Sequence, residues 1–121
     1  MKKCDILNLQ KLLGKKWTIL IITMLNREKK LSFNQISNNL KKATNKIVSK
    51  RLEELEEHKL IEKKIINKRP MRTNYNLTER GIEIIHLFNS MKRFGIKHKL
   101  VPSNCEENSC DKCSIAKENY I

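Results

Sequence analysis

Three thiols stand close together near the end of this chain: Cys105, Cys110 and Cys113, spaced Cys-x4-Cys-x2-Cys. Thiolates at that spacing can share one metal. Zinc sites are usually tetrahedral and iron–sulfur clusters usually take four cysteines, so three thiols form an incomplete site that needs a fourth ligand. The x4-x2 spacing is that of plant-type two-iron ferredoxins and suits zinc as well, so it does not choose between them. A metal-free thiol switch and an inert tail are the other readings of the same residues. A second set of residues offers different chemistry. Lys46, Ser49 and Lys50 lie in one stretch and Lys68, Arg69 and Arg72 in another, and these cations and small donors are of the types that bind phosphates and base edges. An enzyme is not expected. His58, His86 and His98 are scattered without triad or ligand spacing, no Gly-rich phosphate loop occurs, and the Cys-x-x-C lacks the βαβ setting of a thiol oxidoreductase.

These residues need a scaffold, and 121 residues suffice for one domain and a short extension. With 39% hydrophobic and 32% charged residues a core can form, while only 3 Gly and 2 Pro argue against a turn-rich sandwich or barrel. The net charge of +13 implies a polyanionic partner, either nucleic acid or an anionic membrane. That charge is uneven: residues 1–103 carry 24 basic and 9 acidic side chains, residues 104–121 only 2 basic and 4 acidic. Val101-Pro102-Ser103 marks the break, so the expected organisation is a domain over residues 1–100 and a cysteine-bearing extension over 101–121. The most apolar run, Trp17 to Leu25, spans nine residues, against about 20 for a membrane helix. No signal peptide is expected at Lys2 and Lys3, because Gln10-Lys11 and Lys15-Lys16 interrupt any apolar stretch. A cytoplasmic protein without membrane contact is expected, in which cysteines serve metal or redox chemistry rather than disulfides.

Periodicity supplies the elements. Ile6, Leu9 and Leu13 make one side of a short helix over Asp5–Leu13, and a helix apolar nearly all round is expected over Lys15–Leu25. Ser32 can cap a third helix, with Gln35 as its reciprocal partner and Phe33, Ile36 and Leu40 facing inward. After a short turn over Lys41–Ala43, Thr44 caps a fourth helix running to about His58, with Val48, Leu52 and Leu55 as its buried stripe. Leu60–Ile66 reads as a strand, Asn67–Thr73 as a basic loop, Asn74–Leu77 as a return strand, and Thr78-Glu79-Arg80-Gly81 as the start of a long helix. The order predicts a mainly α protein with a small β-hairpin wing, a winged helix-turn-helix.

Within the fourth helix, Lys46, Ser49, Lys50 and Glu53 fall opposite the apolar stripe, while Glu54, Glu56 and Glu57 gather toward the far end. Recognition helices contact bases through their N-terminal residues. Thr44, Asn45, Lys46, Ser49 and Lys50 are therefore the expected readers of double-stranded DNA, with Lys68, Arg69 and Arg72 on the wing touching backbone or minor groove.

These segments resemble the HxlR-type winged-helix transcriptional regulators, relatives of the MarR group. Leu13-Gly14-Lys15-Lys16-Trp17-Thr18 resembles the family's I-G-G-K-W-T, and Leu31-Ser32-Phe33-Asn34-Gln35-Ile36 its R-F-x-E-L. Thr44 to Glu56 resembles the recognition-helix pattern I-S-x-[KR]-x-L-[ST]-x-[RQ]-L-[RE]-x-L-E, and Pro70 to Thr78 resembles P-P-R-V-E-Y-x-L-T, with Gly81 following. Leu13, Met71 and Asn74 depart from the pattern at a glycine, a wing proline and a glutamate. The resemblance covers about residues 4–95. It implies that Trp17 anchors the central helix, that Tyr75 and Leu77 alternate on the second wing strand, and that Thr78 caps the last helix.

The resemblance further implies a homodimer joined through N- and C-terminal helices, with two recognition helices reading a pseudo-palindrome. Many members of that family carry a cysteine ahead of the first helix, in some of them a sensor of oxidants or electrophiles; Cys4 sits at that place, followed by Asp5 where proline is common. Lys2, Lys3 and a following helix N-terminus would raise its thiolate fraction. With the termini of both chains in one helical layer, Cys4 of the same or the partner chain is the expected fourth ligand to Cys105, Cys110 and Cys113, with His98, His86 or an external molecule as alternatives. The expected function is a dimeric, sequence-specific DNA-binding transcriptional regulator, redox- or metal-responsive through zinc, an iron–sulfur cluster or thiols alone. The rival is a winged-helix module for protein or RNA with a structural zinc clasp and no sensing role.

Overall fold

The computed structural model describes residues 5–102, which form helices α1 (Asp5–Leu13), α2 (Thr18–Glu28), α3 (Phe33–Asn39), α4 (Asn45–Glu57) and α5 (Glu79–Lys97) with strands β1 (Leu31–Ser32), β2 (Ile61–Lys68) and β3 (Met71–Leu77). Cys4, Cys105, Cys110 and Cys113 lie outside the described residues, as does the expected extension beyond Pro102. No helix among the described residues is long and apolar enough to cross a membrane.

Helix α2 is the hub. Ile21, Ile22, Met24 and Leu25 are essentially fully buried, and Ile36 of α3 with Leu40 at its C-cap, Val48, Leu52 and Leu55 of α4, Tyr75 of β3 and Ile84 and Ile85 of α5 close around them. Burying each large aliphatic side chain contributes about 1.5–3 kcal/mol, so α2 fixes the positions of the other helices. Its first turn begins at Thr18 rather than at Lys15, because residues 14–17 form a turn in which Trp17 has φ 78°. Non-glycine residues avoid that region. Here the indole is only 5% exposed, and its burial outweighs the backbone strain.

The sheet has three strands, ordered β1-β3-β2 and all antiparallel. Strand β1 was not expected: its two residues pair Leu31 with Tyr75 and Ser32 with Asn74, a span too short to display a period of two. The hairpin is also longer than the sequence suggested. Residues 67–73 are not a loop, since Asn67 pairs with Arg72 and Lys68 with Met71 around a two-residue turn, Arg69-Pro70. The basic composition there concealed strands that the cross-strand ladder stabilises.

Two details seat α5. The Thr78 hydroxyl accepts from the Gly81 N–H at 3.2 Å and donates to the Lys59 carbonyl at 2.7 Å, so one side chain caps the helix and ties it to the end of α4. A Cβ on Gly81 would stand 2.2 Å from the Leu60 carbonyl oxygen, an approach only glycine permits. Both α4 and α5 end in Schellman turns: Leu60 N–H donates to Leu55 O and Lys59 N–H to Glu56 O, as Leu100 does to Gly95 and Lys99 to Ile96.

Candidate nucleic-acid interface

Two helices and a hairpin build the candidate surface. Helix α3 opens on a complete capping box, with Gln35 N–H donating to Ser32 Oγ at 3.2 Å and Ser32 N–H to Gln35 Oε1 at 2.8 Å. Its end is tightened by Leu40 N–H to Ser37 O and Ala43 N–H to Leu40 O. The chain then turns through exposed Lys41 and Lys42 into α4, whose cap is Thr44, its hydroxyl accepting from Ile47 N–H at 3.2 Å. Buried Ile36, Leu40 and Ala43 against Val48 hold the two helices as one unit.

The expected reading residues share the outer face of this unit. Asn45, Lys46 and Lys50 are exposed, Ser49 is half-buried, and Val48, Leu52 and Leu55 are buried beneath them. Thr44 is exposed, and although its hydroxyl accepts at the cap, its proton can still be donated. The Ser37 hydroxyl donates to Asn45 Oδ1, which orients the Asn45 amide donors. Lys68, Arg69 and Arg72 are exposed at the outer end of the hairpin. Sequence reasoning missed Lys41 and Lys42 in the turn and Lys63 and Lys64 on β2, all exposed. Their signal was the lysine doublets themselves, set one in the helix-turn-helix turn and one on an edge strand.

The acidic end of α4 is handled separately. Glu54 accepts from Arg51 Nη1 at 2.8 Å and pairs with Lys15, while Arg51 Nε donates to the Lys16 carbonyl at 3.0 Å. Burial pushes the Glu54 carboxyl up, but hydrogen bonds and charges from Lys15 and Arg51 outweigh it and hold the group below its ordinary value. Glu54 therefore stays ionised inside a cationic clamp that fastens α4 to the turn before α2.

The candidate metal ligands fare differently. The four cysteines lie outside the described residues, and among the described residues no three His, Cys, Asp or Glu side chains gather into a ligand set. His86 and His98, the alternative fourth ligands, are exposed on α5 and just past its end, with the His98 ring 4.7 Å from that of Phe94.

A helix-turn-helix joined to a cationic hairpin has counterparts among known proteins. Residues 12–101 match the model of the HxlR-like helix-turn-helix family. The chain belongs to that family. It is 33% identical over 81 residues to the HTH-type transcriptional regulator YodB of Bacillus subtilis, covering 67% of this chain and 71% of YodB. It is 32% identical over 100 residues to an uncharacterized HTH-type transcriptional regulator of Methanothermobacter thermautotrophicus, covering 83% and 72%. YodB of B. subtilis is also similar in structure: its reduced form superposes with TM-score 0.68 at 28% identity, covering 78% of this chain and 92% of that one. YodB has been solved in diamide-treated and quinone-bound forms too. The HxlR-like chain is thus a winged helix-turn-helix transcriptional regulator, a DNA-binding class of protein and not an enzyme.

Proposed function

We propose that this HxlR-like regulator acts as a homodimer that reads a duplex operator with one α4 from each protomer, and that cysteine chemistry sets its affinity. The face of α4 carries the DNA reading. Its first two turns present Asn45, Lys46, Ser49 and Lys50, its acids lie at the far end, and Lys68, Arg69 and Arg72 stand on the neighbouring hairpin. This polarity suits insertion of the helix into the major groove by its N-terminus. The test is binding to fragments that include the region upstream of its own gene, against competitor DNA. Selective binding is expected, weakening by roughly 10³–10⁵ between 50 and 200 mM salt for about 6–10 phosphate contacts. Absence of preference for any fragment refutes the reading and favours a protein- or RNA-binding module.

Dimerisation is supported by unpartnered apolar surface. Ile6, Leu87, Met91 and Phe94 are 58–65% exposed, and a groove of about 380 Å³ between α1, α2 and α5 is lined by Ile6, Leu9, Ile84, Leu87 and Met91 among others. Exposed apolar area of this kind marks an interaction site. A second copy, seated α5 to α5, buries it and spaces the two α4 helices for half-sites about one helical turn apart.

For the effector, Cys105, Cys110 and Cys113 are assigned a zinc ion or iron–sulfur cluster, completed by Cys4 of either protomer. Cys4 also serves as the redox-reactive thiol. The Cys-x4-Cys-x2-Cys spacing supports the first assignment, and the reduced, diamide-treated and quinone-bound forms of YodB support thiol-responsive regulation. Protein purified without oxygen is expected to carry metal that Cys110→Ser abolishes, with altered DNA affinity. Unchanged metal content and DNA affinity in that variant would sink the sensory assignment.

A further inference from the structure

At the outer end of the hairpin, apolar side chains stand exposed among cations. Ile66 is 61% and Met71 66% exposed, so neither contributes to the core. Residues 63–78 hold Lys63, Lys64, Lys68, Arg69 and Arg72 with no acidic residue. The ladder explains how Ile66 comes to be presented. Ile65 pairs with Thr73 and the next pair is Asn67 with Arg72, which leaves Ile66 as an additional residue in a β-bulge. Bulges re-aim side chains, and here Ile66 joins Met71 on the wall of a cleft of about 670 Å³. Ser32, Phe33 and Asn34, at the start of α3, form the opposite wall.

We propose that Ile66 and Met71 form an apolar wedge that enters the DNA minor groove beside α4, with the adjoining sugar–phosphate strand seated in the cleft. The inference rests on the DNA reading given above. A minor groove has anionic rims and walls of apolar deoxyribose faces, and this hairpin has the complementary layout, with cations along it and two aliphatic side chains between them. Apolar side chains that enter the minor groove press against sugars and base steps and favour sequences that deform readily. The wedge therefore adds selectivity at base pairs flanking those that α4 reads: A·T pairs admit it, whereas the guanine 2-amino group, which projects into the minor groove, obstructs it.

The test compares the wild-type chain with Ile66→Thr, Met71→Gln and their double variant, substitutions that exchange apolar for uncharged polar side chains at exposed positions. On a duplex that the wild type selects, the double variant is expected to bind about tenfold more weakly, the loss that follows from leaving such side chains unburied. Its slope of log affinity against log salt is unchanged, since no phosphate contact is removed, whereas Arg72→Ala lowers that slope by about 1. Replacing flanking A·T pairs by G·C weakens the wild type, and inosine·C, which lacks the 2-amino group, restores it; the double variant is indifferent to both changes. Wild-type binding that ignores the G·C and inosine·C exchange overturns the wedge alone, as does a double variant within about twofold of wild type. A wild type that selects no duplex overturns the DNA reading and the wedge together.

Discussion

The helix-turn-helix and the terminal helical layer solve the same problem, burial of an apolar helix face, in opposite ways. Helices α3 and α4 close on themselves: each begins at a side-chain cap, and Ile36, Leu40, Val48, Leu52 and Leu55 are at most 1% exposed. Helices α1 and α5 leave Ile6, Leu7, Leu87, Met91 and Phe94 largely in solvent. The reading head is finished within one chain. The terminal layer leaves its apolar face open, and in the proposed homodimer the spacing between two reading heads is set there, where the chain is least self-sufficient.

The contrast is broken most directly by charging the terminal layer. Met91→Glu places a carboxylate at the proposed contact while leaving an exposed position exposed in the monomer. The expected outcome is a folded monomer by sedimentation, with circular dichroism unchanged and affinity for a two-half-site operator reduced by about 100-fold or more, since unlinked reading heads lose their effective concentration. A dimer that survives with full affinity would place the interface elsewhere.

The reading head has a comparable weak point in its junction with α5. Gly81→Ala drives a methyl group against the Leu60 carbonyl, with Leu77 Cδ2 at 2.9 Å on its other side. Backbone must move, and an overpacked site of this kind costs about 1–3 kcal/mol. Chemical denaturation at fixed protein concentration measures it. A cost below about 0.5 kcal/mol, the range of ordinary surface substitutions, would mean that α5 is held loosely against the end of α4.

Much of the reading head was legible because its determinants are local. Ser32 with Gln35, Thr44 with Ile47 and Thr78 with Gly81 lie three residues apart, and the period of Val48, Leu52 and Leu55 declares its own helix. What sequence concealed was settled at a distance. Strand β1 exists only because Tyr75 and Asn74 of β3 lie beside it. The start of α2 is displaced because burial of Trp17 dictates a left-handed residue. The hairpin reaches Lys68 because ladder pairing overrides a composition that resembles a loop. In the candidate interface, the α4 face followed from periodicity, whereas Ile66 and Met71 required the register and its bulge to be recognised.

The clamp between the two regions gives a smaller effect with a definite pH sign. Glu54 is the acceptor that ties Lys15, just after α1, to Arg51 on α4. Because its folded-state pKa lies below the ordinary 4.5, it contributes stability that is fully present above that value and is lost as pH falls through the lower folded value. Glu54→Gln is expected to cost about 1 kcal/mol at neutral pH, less than the loss of a whole charge-assisted hydrogen bond because the Gln amide oxygen still accepts. In acid, below the folded pKa of Glu54, wild type and variant converge. A difference that persists undiminished there would show that packing, rather than charge, is what Glu54 supplies.

The smallest effect compares the two regions through the same local motif. Lys59 and Lys99 both occupy the left-handed position of a Schellman turn, at φ 60° and 58°, one closing α4 and the other closing α5. A side chain there crowds the following carbonyl at a cost of about 1–2 kcal/mol, and glycine relieves it while adding about 0.5–1 kcal/mol of unfolded-state entropy. Lys59→Gly should therefore stabilise by about 0.5–1 kcal/mol, read as a rise in denaturation midpoint with an unchanged slope. If Lys99→Gly gives the same gain, both turns are formed by the chain alone and the terminal layer lacks only its apolar partner. A gain confined to Lys59 would mean that the end of α5 is held by more than its own turn, as the proposed homodimer allows.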